Sequence, residues 1–163
     1  MEHNEVRTRV QLRALVDEYA WLADQRDLHG WADLFTDDGS FTAFSPSAET
    51  PFASSTGRAE LVEVLHGNDA FPHTFHLIAN HRVTITGEQT ARGITYAQAH
   101  HTLGVGERTE SLVWLIRYHD EYVYTPAGWK FAARELRLAW IEHVDSDVSA
   151  FPFRRAPHAE HAE

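Results

Sequence analysis

From Thr74 onward the hydrophobic pattern of the chain switches from a helical period to strict alternation, and this switch constrains its fold more than any other feature. Four runs alternate apolar and polar residues: Thr74–Thr86, Ala91–Leu103, Ser111–Tyr124 and Trp129–Ile141. They are separated by Gly87-Glu-Gln-Thr, Gly104-Val-Gly-Glu and Pro126-Ala-Gly, which are turn chemistries, so they predict long strands joined by short antiparallel connections. Ahead of them Leu12, Leu15, Val16, Tyr19, Leu22 and Ala23 fall at helical spacing and predict one helix from about Val6 to Leu28. Gly30 is expected to end that helix, with Trp31 to Phe35 adding one more amphipathic turn. Ser40–Phe44 reads as a short strand, Ser45–Thr56 as a loop, and Gly57–His66 as a second short helix. Helices first and antiparallel strands after predict an α+β domain, its strongly curved sheet wrapped on the helices around a hollow.

A length of 163 residues suits one domain spanning 1–142, followed by a tail, 143–163, that loses periodicity and is expected to be partly disordered. Within the tail Phe151, Pro152 and Phe153 could tuck against the body. Acidic residues outnumber basic ones 24 to 14, a net charge of −10, and such a surface repels phosphate backbones and anionic lipid. Nucleic acid and membrane are therefore not expected partners. The absence of cysteine removes thiolate nucleophiles, disulfides and zinc–thiolate sites from consideration. The N-terminus lacks the regions of a signal peptide, and no apolar run approaches the ~18 residues of a membrane span, so a soluble cytoplasmic protein is expected.

Two residues offer a reaction. Asp24 lies on the flank of the helical stripe, beside Ala20 and Trp21, where a carboxylate looks either into a cavity or into water. His76 sits in the first long strand, sharing a face with Thr74, Ile78 and Asn80. A helix carboxylate facing a strand imidazole makes a general-base pair; an isolated strand histidine is more often simply a hydrogen-bonded structural residue. Arg134 alternates with Leu136, Leu138 and Trp140, and arginine among large apolar groups is seldom buried without an anionic partner. It suits a structural ion pair, a snorkelling side chain or an oxyanion-binding role. Tyr19 lies on the apolar stripe and is by default a core aromatic. His100 and His101 are adjacent on a strand, so they point to opposite faces and only one faces inward. Asp27, Asp37 and Asp38 are most simply cap, turn and surface residues. The histidines show no metal-ligand spacing, and no nucleotide-binding glycine loop or nucleophile elbow is present, so no metal or organic cofactor is implied.

Tyr19-x4-Asp24, Trp31-Ala-Asp-Leu-Phe-Thr-Asp-Asp-Gly39, His76-x3-Asn80 and Gly128-Trp129-Lys-Phe-Ala-Ala-Arg134 together resemble the SnoaL-like branch of the NTF2-like superfamily, over roughly Leu12 to Trp140. The resemblance implies a cone of helices packed on a curved, mostly antiparallel sheet around a pocket, and a homodimer or homotrimer formed through the outer sheet. In motif it extends to the bile-acid 7-alpha-dehydratase, hexachlorocyclohexane dehydrochlorinase and scytalone dehydratase lyases, which need no cofactor. It places a catalytic aspartate at Asp24, a catalytic histidine at His76, a pocket arginine at Arg134 and a helix tyrosine at Tyr19, with His100 loosely matched to a second histidine. The implied function is cofactor-independent elimination or polyketide- or terpenoid-type cyclisation, typical of secondary metabolism. The substrate is expected to be small, hydrophobic and polycyclic, bound by His100, Trp21, Phe35, Phe41, Leu65, Ile78, Tyr96, Trp114, Leu136 and Trp140. The alternative is a non-catalytic binding or assembly subunit with the same fold.

Overall fold

In the computed structural model, which describes residues 2–104 and 109–146, the first element is α1 (Glu2–Gln25). It buries Leu12, Leu15, Val16, Tyr19, Ala20 and Ala23 along one face, the i, i+3, i+4, i+7 pattern read from the sequence. One flank is laced by Arg9–Glu5 and Arg13–Asp17 pairs at 2.7 and 2.9 Å. The helix stops at Arg26, in the left-handed region at φ 59°, and not at Gly30. Gly30 instead lies inside α2 (Leu28–Ala32), where Asp27 caps the turn by accepting the Gly30 N–H at 2.9 Å. A side chain at Gly30 would meet that carboxylate at 2.5 Å, which is why glycine stands there.

Strand β1 (Phe35–Phe44) starts five residues earlier than expected, taking in Phe35, Asp37 and Asp38, and the expected loop contains β2 (Ala53–Thr56). The helix α3 (Arg58–Val64) runs into a 3-10 turn, Leu65–Ala70. Then come β3 (Thr74–Ile85), β4 (Thr90–Leu103), β5 (Thr109–Thr125) and β6 (Gly128–Ser146). These are the four alternating runs, within a residue or two except at the end of β6. That strand reaches Ser146, beyond the expected limit; the rest of the expected tail, 147–163, lies outside the described residues.

One sheet results, in the order β2-β1-β6-β5-β4-β3, antiparallel throughout except for the parallel β1–β6 pair. The architecture is α+β, with an open, mixed sheet curved over its helices. The inner face of β4 carries Ala91, Gly93, Thr95, Ala97 and Ala99, side chains too small to fill the concavity. Their β5 partners Tyr122, Asp120, Tyr118, Ile116 and Trp114 project into that space.

Irregularities in strand register reset which face is inward, and two of them fall at expected site residues. In β3 Ile78 pairs with Ala97 but His81 with Thr95, so β3 spends two residues, Ala79 and Asn80, where β4 spends one. The inward set shifts from Thr74, His76 and Ile78 to His81, Val83 and Ile85, and Asn80 is exposed instead of sharing the His76 face. In β6 Ala139 is the extra residue between Leu138 and Trp140, which turns Trp140 outward.

Candidate active site

The free edge of β3 is closed by α1, through side chains in place of a seventh strand. Arg9 donates to the Val83 carbonyl at 2.7 Å, Arg13 to the Ala79 carbonyl at 3.0 Å, and Asp24 accepts the His76 backbone N–H at 2.8 Å. The other Asp24 oxygen accepts from His76 Nδ1 at 2.7 Å. One carboxylate thus fixes both the backbone and the ring of the histidine, assigning Nδ1 as the protonated nitrogen and leaving Nε2 on the opposite edge of the ring. Burial pushes the Asp24 carboxyl up, but the hydrogen bonds and charge of His76 outweigh it and hold the group below the usual aspartate range. It is an anion at neutral pH.

His76 lines a cavity of about 210 Å³ inside the cone, while Asp24 stands behind it against an outer groove between α1 and β3. Alanines 23, 43, 53 and 99 leave the space open, and Trp31, Phe41, Trp114 and Leu136 form much of its wall. Tyr19 and Tyr118 also line it; burial raises the pKa of both, so both hydroxyls are protonated donors at neutral pH. His101 is the inward member of its pair: it lines the cavity with its ring 5.8 Å from that of His76 and 4.7 Å from Trp114. Burial lowers its pKa to about 4, helped by its neighbour His76, so it is neutral.

Arg134 does not line the cavity. Its side chain is fully buried beneath the two tyrosines, its guanidinium carbon 3.9 Å from each ring centroid and 4.5 Å from that of Phe131. It forms an ion pair with Asp120, Nε to Oδ1 at 3.1 Å. The Oδ2 atom of Asp120 accepts from the Tyr122 hydroxyl at 2.8 Å and from Thr95 at 3.0 Å, and Tyr122 also meets His81 Nε2 at 3.1 Å. The arginine therefore reaches the cavity only through the faces of Tyr19 and Tyr118.

Among the expected lining residues, Phe41, Leu65, Trp114 and Leu136 line the cavity. Phe35 is core, and Ile78 packs under α1 beside the outer groove. Trp21, Tyr96 and Trp140 are 59, 42 and 51 % exposed and lie on the outside. Trp21 is on the solvent side of α1, Tyr96 alternates with the inward alanines of β4, and the Ala139 irregularity reverses Trp140. His100 is likewise outward, against Phe75; strand alternation gives its expected place to His101. Tyr118, His101 and Phe71 were missed as cavity residues. The register of β4 against β5 identifies the first two, a signal that alternation alone does not anchor to a face. Among the described residues, no three His, Asp or Glu side chains are grouped to hold a metal ion.

The fold and site define an α+β cone with an apolar cavity and a carboxylate-held histidine on its wall. Residues 4–135 match the SnoaL-like domain family, and the chain belongs to it. The same fold occurs in the crystal structure of a candidate scytalone dehydratase from Novosphingobium aromaticivorans, 24 % identical over 96 % of this chain and 99 % of the other, with a TM-score of 0.75. It recurs in a type 3 hexachlorocyclohexane dehydrochlorinase from Novosphingobium barchaimii (17 % identity, 88 % and 94 % coverage, TM-score 0.75). It recurs again in a candidate aromatic ring hydroxylase from N. aromaticivorans (22 % identity, 85 % and 94 % coverage, TM-score 0.72). At these identities the likeness is one of fold. No match was found among curated proteins. No helix among the described residues is long and apolar enough to cross a membrane.

Proposed function

We propose that the protein is a cofactor-independent lyase acting on a small, neutral, cyclic substrate, with His76 as general base. The observation that carries this reading is the 2.7 Å Asp24–His76 bond on the wall of an open apolar cavity. His76 Nε2 takes a proton from a carbon made acidic by a neighbouring carbonyl, and Asp24 stabilises the imidazolium that forms. Tyr19 and Tyr118 donate to the carbonyl oxygen as it gains charge, with the Arg134 cation behind their rings strengthening both donors. The carbon–oxygen bond to the leaving group breaks as the double bond forms. The departing hydroxyl, held by neutral His101, leaves as water with the proton that His76 removed. Internal attack in place of departure would give a cyclase or isomerase on the same groups.

A cavity of about 210 Å³ lies below the ~300–1,000 Å³ usual for ligand sites, which favours one or two fused rings over a larger polycycle. No lysine or arginine among the described residues lines it, which argues against phosphorylated metabolites. The Asp24–His76 bond and the unfilled cavity also speak for catalysis over a non-catalytic adaptor. Exposed Phe75, Leu77, Tyr96 and Trp140 on the convex sheet face support a homo-oligomer, which light scattering of the protein and of Trp140→Glu tests.

Native mass spectrometry of the protein from its host, followed by turnover assays on neutral cyclic β-hydroxyketones, tests the reading. His76→Ala and Asp24→Asn should each lower kcat by about 10²–10⁴-fold. Full turnover in either variant, or recovery of a bound nucleotide or sugar phosphate, would overturn it.

A further inference from the structure

Arg26 stands where a helix of this kind normally places glycine. At the end of α1 the Asp27 N–H bonds back to the Leu22 carbonyl at 3.1 Å and the Arg26 N–H to the Ala23 carbonyl at 3.3 Å, with Arg26 itself at φ 59°. That is the left-handed C-terminal motif in which glycine, or less often asparagine, avoids the steric penalty of a β-carbon. The guanidinium adds a second penalty, because its Nη1 is buried with no hydrogen-bond partner among the described residues. A residue unfavourable in both backbone and side chain marks a position held for something else.

What the side chain does is specific. Arg26 Nη2 donates to the carbonyl of Phe71 at 2.8 Å, 45 residues away in sequence. Phe71 follows the 3-10 turn, lines the cavity, and packs its ring 4.6 Å from that of His101. The turn contributes Leu65, Gly67 and Asn68 to the same cavity, and the chain rejoins the sheet at His73, whose carbonyl accepts the Thr102 N–H at 3.0 Å, two residues past Phe71. Its backbone N–H bonds only within the turn, to the Asn68 carbonyl.

We infer that Arg26 is a positioning residue for the cavity: by holding the Phe71 carbonyl it clamps the 3-10 turn against the end of α1 and seats the Phe71 ring on His101. The helix that carries Asp24 thereby also fixes the wall that Phe71 forms beside His101, so base and wall move as one body. This role rests on the reading of the cavity as a substrate site, but the clamp itself is testable without turnover.

The test compares Arg26→Gly, Phe71→Ala and the double variant in the full-length chain. Glycine restores the residue the backbone favours, so Arg26→Gly should melt at or above the wild-type temperature. The His101 Cε1–H resonance, assigned by its loss in His101→Gln, should move in Arg26→Gly to the position it takes in Phe71→Ala, because the ring contact with Phe71 is lost in both. The affinity for 1-naphthol, a neutral two-ring probe, should fall about five- to tenfold in each single variant and no further in the double, since the two residues act in series. Arg26→Asn, also tolerated in the left-handed region, serves if the glycine variant does not fold. An unmoved His101 resonance in Arg26→Gly overturns the clamp, as does additivity of the two affinity losses. If 1-naphthol binds no form of the protein, the resonance alone decides. Failure of the lyase reading would appear separately, as turnover surviving His76→Ala.

Discussion

Replacing Arg134 with methionine removes the cation from beneath the two tyrosines while keeping similar volume, and the structure sets what that costs. Both side chains of the Arg134–Asp120 pair have no solvent exposure, so the Asp120 carboxylate left behind would be a buried charge with only the Tyr122 and Thr95 hydroxyls for support. Breaking such a pair from one side costs about 3–5 kcal/mol. The contacts to the Tyr19, Tyr118 and Phe131 rings are lost in the same truncation and are not added to that figure. For a domain of this size the melting temperature should drop by roughly 6–20 °C. The compensating variant is Arg134→Met with Asp120→Asn, which removes the charge but keeps an acceptor for both hydroxyls. It should recover at least half of the loss.

The pH dependence gives the argument a sign. Burial already raises the Asp120 pKa, against the pull of Arg134, and without the arginine it rises further. Below the unfolded-state pKa of about 3.9, Asp120 is protonated in both states and Arg134→Met is least harmful. The penalty relative to wild type starts to grow only where Asp120 ionises in the folded wild type, and from there to the still higher folded-state value of the variant it grows by about 1.4 kcal/mol per unit. Urea unfolding of wild type, Arg134→Met and the double variant at pH 4 and pH 7 measures both effects. A penalty under about 1 kcal/mol at pH 7, or a double variant no more stable than the single, would refute the account of Arg134 as an ion-paired support.

His81 and His101 have folded-state pKa values lowered to about 4, chiefly by burial, so the unfolded chain binds protons more readily than the folded one between that value and the ordinary histidine range. Stability should therefore be full above pH 6.5, fall as pH drops toward 4, and fall less steeply in His81→Gln or His101→Gln; an unchanged acid limb in both variants counts against their buried neutrality. Gly93→Ala places a β-carbon 2.8 Å from the Tyr122 ring and hydroxyl, which the Asp120 and His81 bonds hold in place. It should cost about 1–3 kcal/mol in urea unfolding, and Gly93→Ala/Tyr122→Phe should not restore stability, since the ring carbons clash as closely as the hydroxyl.

The elements were legible in the sequence because their periods are local: Leu12 to Ala23 states a helix face, and the runs from Thr74 to Ile141 state strands. What the sequence leaves open is parity. A strand of period two says that His100 and His101 differ in face, but only the pairing of Ala99, two residues before His101, with cavity-lining Trp114 says which is inside. Each extra residue then reverses the answer downstream, as Asn80 and Trp140 illustrate. Alanine and glycine leave no mark in hydropathy that distinguishes a cavity floor from a packed interior, so the hollow over Ala99 is visible only once Trp114 and Tyr118 stand beside it. Arg134 shows the same limit from the other side. Its alternation with Leu136 and Leu138 places it indoors, but Asp120, its partner on the adjacent strand, lies among the acidic and aromatic residues of Tyr118-His-Asp-Glu-Tyr122, where nothing local separates a buried carboxylate from an exposed one. The register of β5 against β6 pairs Asp120 directly with Arg134, and from that single pairing follow the buried charge, the tyrosines stacked over it and the absence of arginine from the cavity wall. In this fold, strand register decides which residues can do chemistry, and hydropathy decides only that there is an inside.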